Sequence, residues 1–213
     1  MGEGLLISLE GIDGSGKTTL IQYLQEVWQE YPLIKIREPG GTVISEKIRE
    51  LLLNVENRHI TPRTEALLYA AARSQVVDQL IRPSLEQGKI VLADRYLDST
   101  IAYQGYGRGL DLQFLYTLNR LCTDGLLPDA TILLDLEPGI GELRRNGEAA
   151  DRLEKEGREF QARVRQGYLE LARQESERIH IIDAGRAFAD VAADALNCLQ
   201  QLLMSRGWKP VAY

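Results

Sequence analysis

A chain of 213 residues, 44% of them hydrophobic, is long enough to bury one substantial core, and we expect a single domain spanning 1–213 with inserted elements. Its net charge of -6 argues against the basic surface of a nucleic-acid-binding protein, so phosphate chemistry must depend on local clusters of Arg and Lys. The sequence shows neither a secretion signal nor a window of ~18 apolar residues, so we expect no membrane segment and a cytoplasmic location.

Five short apolar runs alternate with longer stretches of helical spacing. The runs predict strands, buried on both faces, at 5–9, 33–36, 90–93, 130–134 and 178–182. The stretches predict helices at 18–30, 61–87, 113–122, 153–174 and 188–205, the second with Thr61 as N-cap, Pro62 in its first turn and Gly88 after its end. Strand alternating with helix indicates an α/β fold with a parallel sheet covered by helices.

Two further features qualify this pattern. Segment 137–152 is rich in Gly, Glu and Arg with little apolar periodicity, and we interpret it as a mobile surface segment. The two cysteines, Cys122 and Cys198, lie in helical patterns outside any metal-binding spacing, which favours buried apolar thiols in a reducing compartment.

A complete phosphate-binding motif follows the first predicted strand. Residues 11–18 read Gly-Ile-Asp-Gly-Ser-Gly-Lys-Thr, which matches GxxxxGK[ST] between a strand and a helix. The glycines let the backbone curl until successive N–H groups point at phosphate oxygens, and the following helix adds its positive end. We expect Lys17 to neutralise the β- and γ-phosphates and Thr18 to offer its hydroxyl to Mg²⁺. The candidate ATP-binding residues are Gly11, Ile12, Asp13, Gly14, Ser15, Gly16, Lys17, Thr18 and Thr19.

The strand predicted at 90–93 ends in Asp94 and Arg95, at the edge where open α/β sheets bind ligands. Arg95 could hold a phosphate in a bidentate manner, while Asp94 orients Arg95 or reaches a water bound to Mg²⁺. Taken alone, the two residues could equally form a surface ion pair. The sequence has neither the Asn-Lys-x-Asp motif of GTPases nor the apolar strand ending in Asp-Glu of many motor ATPases, which weighs against both classes.

Several motifs, in order along the chain, resemble those of bacterial thymidylate kinases. They occupy 10–19, 37–42, 69–73, 94–96, 98–105, 107–109, 127–129 and 151–154. The resemblance implies a P-loop NTPase fold with a five-stranded parallel sheet surrounded by helices, and a small lid at about 137–152. It also implies transfer of the γ-phosphoryl group of ATP to dTMP to give dTDP, a Mg²⁺ requirement, and a homodimer formed through 62–87 and 111–122.

The resemblance assigns a pocket for dTMP. Tyr69 stands where the family usually has a Phe stacked on thymine, although by periodicity it could be a core aromatic. Arg73, on the same helical face, would reach a thymine carbonyl oxygen. Arg95 would hold the dTMP phosphate, and Arg49 is a weaker candidate that could equally be a solvated helix charge. Glu38 and Pro39 would shape the opposite loop. The residues assigned to the base and sugar pocket are Ser99, Thr100, Tyr103 and Gln104. Of these, Gln104 would lie at the hydrogen-bonding edge of thymine.

The catalytic residues implied by the resemblance are mostly charged. Asp13 would face the acceptor nucleotide near its 3'-hydroxyl. Some family members have an arginine at the position of Gly14, whereas others supply arginines from the lid. We therefore expect lid arginines to act with Lys17 and Arg95 on the charge of the transition state, unless they form only a solvated charge run; the candidates are Arg144, Arg145 and Arg152. A phosphate oxygen of dTMP needs no general base, so Asp94 is predicted to organise the site.

Two alternatives stay open on sequence grounds. A nucleoside kinase could use the same scaffold, although the Arg95 clamp weighs against it because a nucleoside has no phosphate to hold. A P-loop regulatory module could bind ATP and signal by lid closure, and ATP consumption that depends on a monophosphate would exclude it.

Overall fold

A five-stranded sheet forms the centre of the molecule. The computed structural model describes residues 4–145 and 151–209. All strand pairs are parallel, in the order β2-β3-β1-β4-β5. The strands are β1 (Leu5–Glu10), β2 (Leu33–Arg37), β3 (Ile90–Asp94), β4 (Ala130–Asp135) and β5 (Ile179–Asp183). Each predicted strand is confirmed to within one residue at either end, and so is the predicted α/β fold with a five-stranded parallel sheet.

Two apolar layers cover the sheet because successive side chains of a strand point to opposite faces. Leu5, Ile7 and Leu9 of β1 belong to the larger core, which α1, α8 and α9 complete. Leu6 belongs to a smaller core on the other face, together with Val76 and Ile81. The central strands β1 and β3 are buried throughout, whereas the edge strands β2 and β5 are only partly buried. The prediction of strands buried on both faces therefore holds for the centre of the sheet and not for its edges.

Helices connect the strands and supply both layers. They are α1 (Lys17–Val27), α2 (Val43–Leu53), α3 (Pro62–Val76), α4 (Arg82–Glu86), α5 (Leu97–Thr100), α6 (Leu112–Thr123), α7 (Pro138–Arg144), α8 (Arg158–Gln174) and α9 (Phe188–Ser205). π-Helical segments, Val77–Ile81 and Ile101–Gly107, join α3 to α4 and extend α5, and a 3₁₀ turn, Glu154–Glu156, precedes α8. No helix in the described ranges is long and apolar enough to cross a membrane.

The predicted helices are confirmed, with differences at their ends. α9 has the predicted bounds, and α3 begins as expected, since the Thr61 hydroxyl accepts a hydrogen bond from the backbone N–H of Thr64 and Pro62 occupies the first turn. α8 starts at Arg158 and not at 153, because Gly157 with φ 86° breaks the helical path. The free thiols of Cys122 and Cys198 are half-buried.

Part of segment 137–152, interpreted from the sequence as a mobile surface segment, is helical, and most of its described residues lie at the surface. Residues 138–144 form α7, with Pro138 in its first turn. Arg152 and Leu153 are buried, with 7% and 6% of their surface exposed. The remaining part of the segment, 146–150, lies outside the described residues.

A buried ion pair links the first turn after β3 to the start of β5. Both carboxylate oxygens of Asp98 lie 2.8 Å from guanidinium nitrogens of Arg178, and the Asp98 side chain is 1% exposed. Thr131 of β4 donates to the same carboxylate and is hydrogen-bonded to Ser8 of β1. The carboxylate is thus fully compensated inside the protein, although charged groups are costly to bury.

We expect Arg178→Met to lower the free energy of unfolding by about 3–5 kcal/mol, because it leaves the Asp98 carboxylate buried without its cation. Urea unfolding followed by circular dichroism measures this loss. Arg173→Met, at an exposed ion pair on α8, is the matched control and should cost at most about 1 kcal/mol. Adding Asp98→Ala to the Arg178→Met variant should restore part of the stability. Equal losses of stability in Arg178→Met and Arg173→Met would contradict the prediction.

Candidate active site

The site forms at the carboxyl ends of the central strands. β1 lies between β3 and β4, so the strand order changes direction next to β1. Open parallel sheets bind their ligands at such a switch point. Because Leu9 of β1 pairs with Asp94 of β3, the loop after β1 and the turn after β3 lie side by side. The phosphate-binding motif and Arg95, 84 residues from Gly11, are brought into contact in this way.

The P-loop adopts a backbone that requires glycine. Gly11, Gly14 and Gly16 all have positive φ, and Gly16 directly precedes α1. The ammonium group of Lys17 donates to the carbonyl oxygens of Gly11 and Ile12, each at 3.0 Å. Burial and the positive charge of Arg95 lower the pKa of Lys17 to about 8. The loop therefore encloses the ammonium group of Lys17, and a bound polyphosphate would neutralise its charge.

Arg95 is held in an unusual backbone conformation. Its φ is 70°, in the left-handed region that non-glycine residues rarely occupy. The turn is fastened on both sides: Arg95 N–H donates to the carbonyl of Leu9 at 3.0 Å, and Tyr96 N–H donates to the carboxylate of Glu10 at 2.7 Å. The strained turn directs the Arg95 side chain across the P-loop, which is consistent with strain retained for function.

The Arg95 guanidinium has several fixed partners. It donates to Asp13 at 2.5 Å, to the carbonyl oxygen of Gly11 at 2.9 Å and to the hydroxyl of Tyr103 at 3.0 Å. Burial raises the pKa of the Asp13 carboxyl, but the charges of Arg95, Lys17 and Arg145 outweigh burial and hold that pKa below its usual value. Asp13 is therefore an anion kept within the P-loop by a neighbouring cation.

Asp94 does not orient Arg95, contrary to the first of the two roles predicted for it. Its carboxylate instead accepts a hydrogen bond of 2.8 Å from the hydroxyl of Thr18. Arg95 points the other way because its left-handed turn carries it toward Asp13. The alternative of a surface ion pair between Asp94 and Arg95 is also wrong. The two side chains point apart, and only 6% of the surface of Asp94 is exposed.

All eleven residues predicted to bind dTMP line one cavity of about 170 Å³. They are Asp13, Glu38, Pro39, Arg49, Tyr69, Arg73, Arg95, Ser99, Thr100, Tyr103 and Gln104. Leu53, Asp151, Leu153 and Glu154 complete the lining and were not predicted. The cavity combines the aromatic rings of Tyr69 and Tyr103 with many charged side chains.

Arg73 contributes to the walls of this cavity more than the sequence suggested. Its guanidinium donates to Glu38 at 2.7 Å, Thr100 at 2.7 Å, Asn119 at 2.9 Å and the carbonyl oxygen of Tyr96 at 2.9 Å. At least four of its five N–H groups therefore have partners, which leaves at most one for a base. Arg73 joins α3, α5 and α6 around the pocket, in addition to any contact with a ligand.

Arg49 and Glu38 both face this cavity. Arg49 of α2 donates to the carbonyl oxygen of Pro39 at 2.9 Å, and burial lowers the pKa of its guanidinium, so the alternative of a solvated helix charge is wrong. Oε1 of Glu38 is buried without a hydrogen-bond partner in the described part of the chain. A ligand hydroxyl or a water would satisfy that oxygen.

A second cavity, of about 630 Å³, lies over the P-loop. Residues 13–19 line it, together with Asp94 and Arg95. Gly11 and Ile12 are not among its lining residues, because they lie beneath the loop as acceptors for Lys17. The two cavities share five residues: Asp13, Glu38, Arg49, Arg95 and Glu154. A ligand in one cavity would thus meet a ligand in the other at Arg95 and Asp13.

The structure separates the three candidate lid arginines. Arg144 and Arg145 line the P-loop cavity, whereas Arg152 does not. Arg152 is buried, donates to the carbonyl oxygen of Leu52 and is paired with Glu65 at 2.7 Å. Arg145 is paired with Glu154 at 2.9 Å, and its Nε is buried without a hydrogen-bond partner among the described residues. Arg145 thus lies beside the P-loop, whereas Arg152 is turned toward Leu52 and Glu65.

α7 contacts the P-loop through two glycines. A Cβ atom added to Gly14 would lie 2.4 Å from the carbonyl oxygen of Gly141, and one added to Gly141 would lie 2.4 Å from that of Asp13. Neither position has room for a side chain, and Gly14 also has φ 79°. This close contact places the arginines at the end of α7 over the phosphate-binding loop.

Several residues of the site were not predicted from the sequence. Glu10 accepts from Tyr96, from Ser99 and from the hydroxyl of Tyr168, and burial, together with Asp98, raises its pKa to about 7. A carboxylate ending an otherwise apolar strand was a signal for Glu10, whereas nothing in the sequence marked Tyr168. Others line the P-loop cavity, namely Arg37, Leu134, Ala184, Arg186, Phe188 and Val191.

Comparison with known proteins agrees with this arrangement. Residues 9–195 match the model of the family described as thymidylate kinase. A thymidylate kinase of Symbiobacterium thermophilum is 47% identical over 206 residues, covering 95% of both chains, and one of Desulforudis audaxviator is 50% identical over 196 residues, covering 91% of this chain and 88% of the relative. The crystal structure of thymidylate kinase from Ehrlichia chaffeensis superposes with a TM-score of 0.74 at 35% identity, over 92% of this chain and 99% of that one.

The geometry and the comparisons lead to the same assignment. The P-loop cavity and the cavity lined by Tyr69 and Gln104 meet at Arg95, and both the sequence relatives and the structural relative extend over nearly the whole chain. The chain belongs to the thymidylate kinase family, and its activity is the ATP-dependent phosphorylation of dTMP to dTDP.

Proposed function

We propose that ATP binds over the P-loop with its γ-phosphate directed at Arg95, and that dTMP binds in the cavity lined by Tyr69 and Gln104. The observation that carries this proposal is that the two cavities share Asp13 and Arg95. Donor and acceptor phosphates would then meet beside one guanidinium, which can neutralise charge on both during in-line transfer.

The roles of the acceptor-side residues follow from their contacts. Arg95, held by Asp13 and Tyr103, is pre-organised to bind the dTMP phosphate, and Arg49 faces the same cavity. The half-buried ring of Tyr69 offers a stacking surface for thymine. Thr100 and Glu38 fix Arg73, whose remaining N–H can reach a base oxygen, and Ser99 and Pro39 complete the wall.

The roles of the donor-side residues are electrostatic. Lys17 would move from the loop carbonyls to the β- and γ-phosphates, and the backbone N–H groups of 13–19 would cradle the polyphosphate. Arg145, whose Nε has no hydrogen-bond partner in the described ranges, would neutralise charge on the transferring group, with Arg144 in support. We propose residues 137–152 as the lid of a single domain, which closes over ATP to exclude water.

Thr18 and Asp94 fit a Mg²⁺ ion. The Thr18 hydroxyl and the Asp94 carboxylate lie 2.8 Å apart on the wall of the P-loop cavity, and hard oxygen donors of this kind suit Mg²⁺. No cluster of three carboxylate, His or Cys groups in the described ranges could hold a metal by itself, so nucleotide oxygens and water would complete the coordination. When bound, the ion would offset the charge of the β- and γ-phosphates.

The proposal is tested by measuring ADP production with ATP and Mg²⁺ against dTMP, dUMP, dCMP, AMP, GMP and thymidine. dTMP should be the preferred acceptor, and thymidine should give no turnover because it offers no phosphate to Arg95. Turnover with thymidine comparable to that with dTMP would overturn the clamp, and ATP hydrolysis independent of any acceptor would indicate a different use of the P-loop.

ATP binding should weaken as the pH rises through 8. The pKa of Lys17 is about 8 without nucleotide, and polyphosphate should raise it, because an adjacent anion favours the charged form. Binding therefore takes up a proton near pH 8 to 9, and the dissociation constant rises until the pKa of the bound state is passed. Calorimetry in two buffers of different ionisation enthalpy measures the uptake. Lys17→Arg should abolish the pH dependence, and proton release on binding would contradict the assignment.

We further propose a homodimer that works in the cytoplasm. Apolar side chains of α3 and α6 are exposed, including Leu67, Tyr116 and Leu121, the last at 71%. Sedimentation equilibrium tests the dimer, and Leu121→Glu should weaken it. Two unpaired thiols, Cys122 and Cys198, support a reducing compartment.

A further inference from the structure

A buried carboxylate stands behind the base pocket. Glu65, in the first turn of α3, has no exposed surface. Its Oε1 accepts from Gln104 Nε2 at 3.0 Å and from Arg108 Nε at 3.2 Å. Its Oε2 lies 3.1 Å from Arg108 Nη2 and 2.7 Å from Arg152 Nη2. Two guanidinium groups thus balance the charge of Glu65 and fix its position, while one oxygen is turned to Gln104.

This contact determines which end of the Gln104 amide faces a ligand. A carboxylate paired with two arginines can only accept hydrogen bonds, so the amide NH₂ must point at Glu65. Gln104 is 2% exposed and lines the acceptor cavity, and no side chain in the described ranges donates to its Oε1. The polar atom left for the ligand is therefore an acceptor.

An acceptor at this position distinguishes the pyrimidine bases. Thymine presents an N3–H donor at its hydrogen-bonding edge, whereas N3 of cytosine carries a lone pair. An amide oxygen would accept from thymine N3–H and would face cytosine N3 as acceptor against acceptor, which leaves both buried atoms unpaired.

We propose that Glu65 is a positioning residue that sets the preference for dTMP over dCMP by fixing the orientation of the Gln104 amide. This inference rests on the proposed function, in which Gln104 faces the base. Glu65 does not touch the nucleotide. It acts through the hydrogen bond to Gln104, and Arg108 and Arg152 keep the carboxylate from turning away.

Glu65→Gln tests the proposal because an amide at 65 can either donate or accept, so the Gln104 amide can take both orientations. The ratio of kcat/KM for dTMP to that for dCMP should fall about tenfold or more. The ratio for dTMP to dUMP should stay unchanged, since both bases carry N3–H. Each ratio is measured on one preparation, so any unfolded fraction cancels from it.

Two further variants complete the test. Glu156→Gln removes the other carboxylate paired with Arg108, at 2.6 Å, without touching Gln104, and should leave both ratios unchanged. Gln104→Leu should lower the ratio for dTMP to dCMP, and adding Glu65→Gln to it should have no further effect. If Gln104→Leu lowers the ratio and Glu65→Gln does not, the positioning role is wrong and the proposed function stands. If Gln104→Leu changes nothing, the proposed base contact itself fails.

Discussion

Arg95→Gln is expected to lower kcat/KM for dTMP by roughly 10³-fold or more, the largest effect of any single substitution in the site. Two causes act together. The phosphate loses a bidentate cation, and the Asp13 carboxylate, now 2.5 Å from a neutral group in place of Arg95, repels the incoming dianion. Steady-state kinetics with dTMP as the varied substrate measures the loss, and binding of dTMP should weaken along with turnover.

The controls for this variant separate charge from geometry. Arg95→Lys keeps the charge but loses the planar fork, so its activity should lie between those of the wild type and Arg95→Gln. Arg173→Gln, at an exposed arginine of α8, should leave the kinetics unchanged. Adding Asp13→Asn to Arg95→Gln should recover part of the loss, because it removes the repulsion. A loss of less than tenfold in Arg95→Gln would show that another cation holds the dTMP phosphate.

Arg145→Gln is expected to lower kcat by roughly 10²-fold or more while the KM for dTMP changes little, because the lost interaction is made in the transition state. Arg145 lines the P-loop cavity, and its charge, after those of Arg95 and Lys17, helps to lower the pKa of Asp13. Its buried Nε has no hydrogen-bond partner among the described residues, and a phosphoryl oxygen would provide one.

Arg144→Gln is the matched comparison for Arg145. Arg144 lies next to it at the end of the same helix, but its guanidinium is exposed and donates to the carbonyl oxygen of Ala184 at 2.9 Å. We expect a loss in kcat of less than about tenfold, as for a charge that acts through solvent. If the order of the two losses is reversed, Arg144 and not Arg145 neutralises the transition state.

The sequence predicted the strands well because buried parallel strands are continuous apolar runs. It did not predict α2, although Thr42 accepts a hydrogen bond from Ser45 N–H as an N-cap and marked the start of that helix. The apolar residues of α2 recur at helical spacing, but several of them are exposed, Val43 at 77% and Leu51 at 46%. Residues 97–107 escaped prediction for another reason: their buried face carries polar groups such as Thr100 and Gln104, which serve the pocket and break the apolar pattern.

The members of the acceptor pocket could be named from motifs, but their contacts could not. Asp13 and Arg95 are 82 residues apart, and only the pairing of β1 with β3 brings them together. Motif order likewise gives no indication that Arg73 has at least four partners or that Arg152 is buried against Glu65. Such contacts depend on tertiary packing, which periodicity does not encode.

The close contact of Gly14 with Gly141 limits how this enzyme can change over evolution. An arginine introduced at 14 would need a Cβ 2.4 Å from the carbonyl oxygen of Gly141 and would also have to adopt φ 79°. A side chain at 14 therefore requires α7 to shift away from the P-loop, which would also move Arg144 and Arg145 at its end.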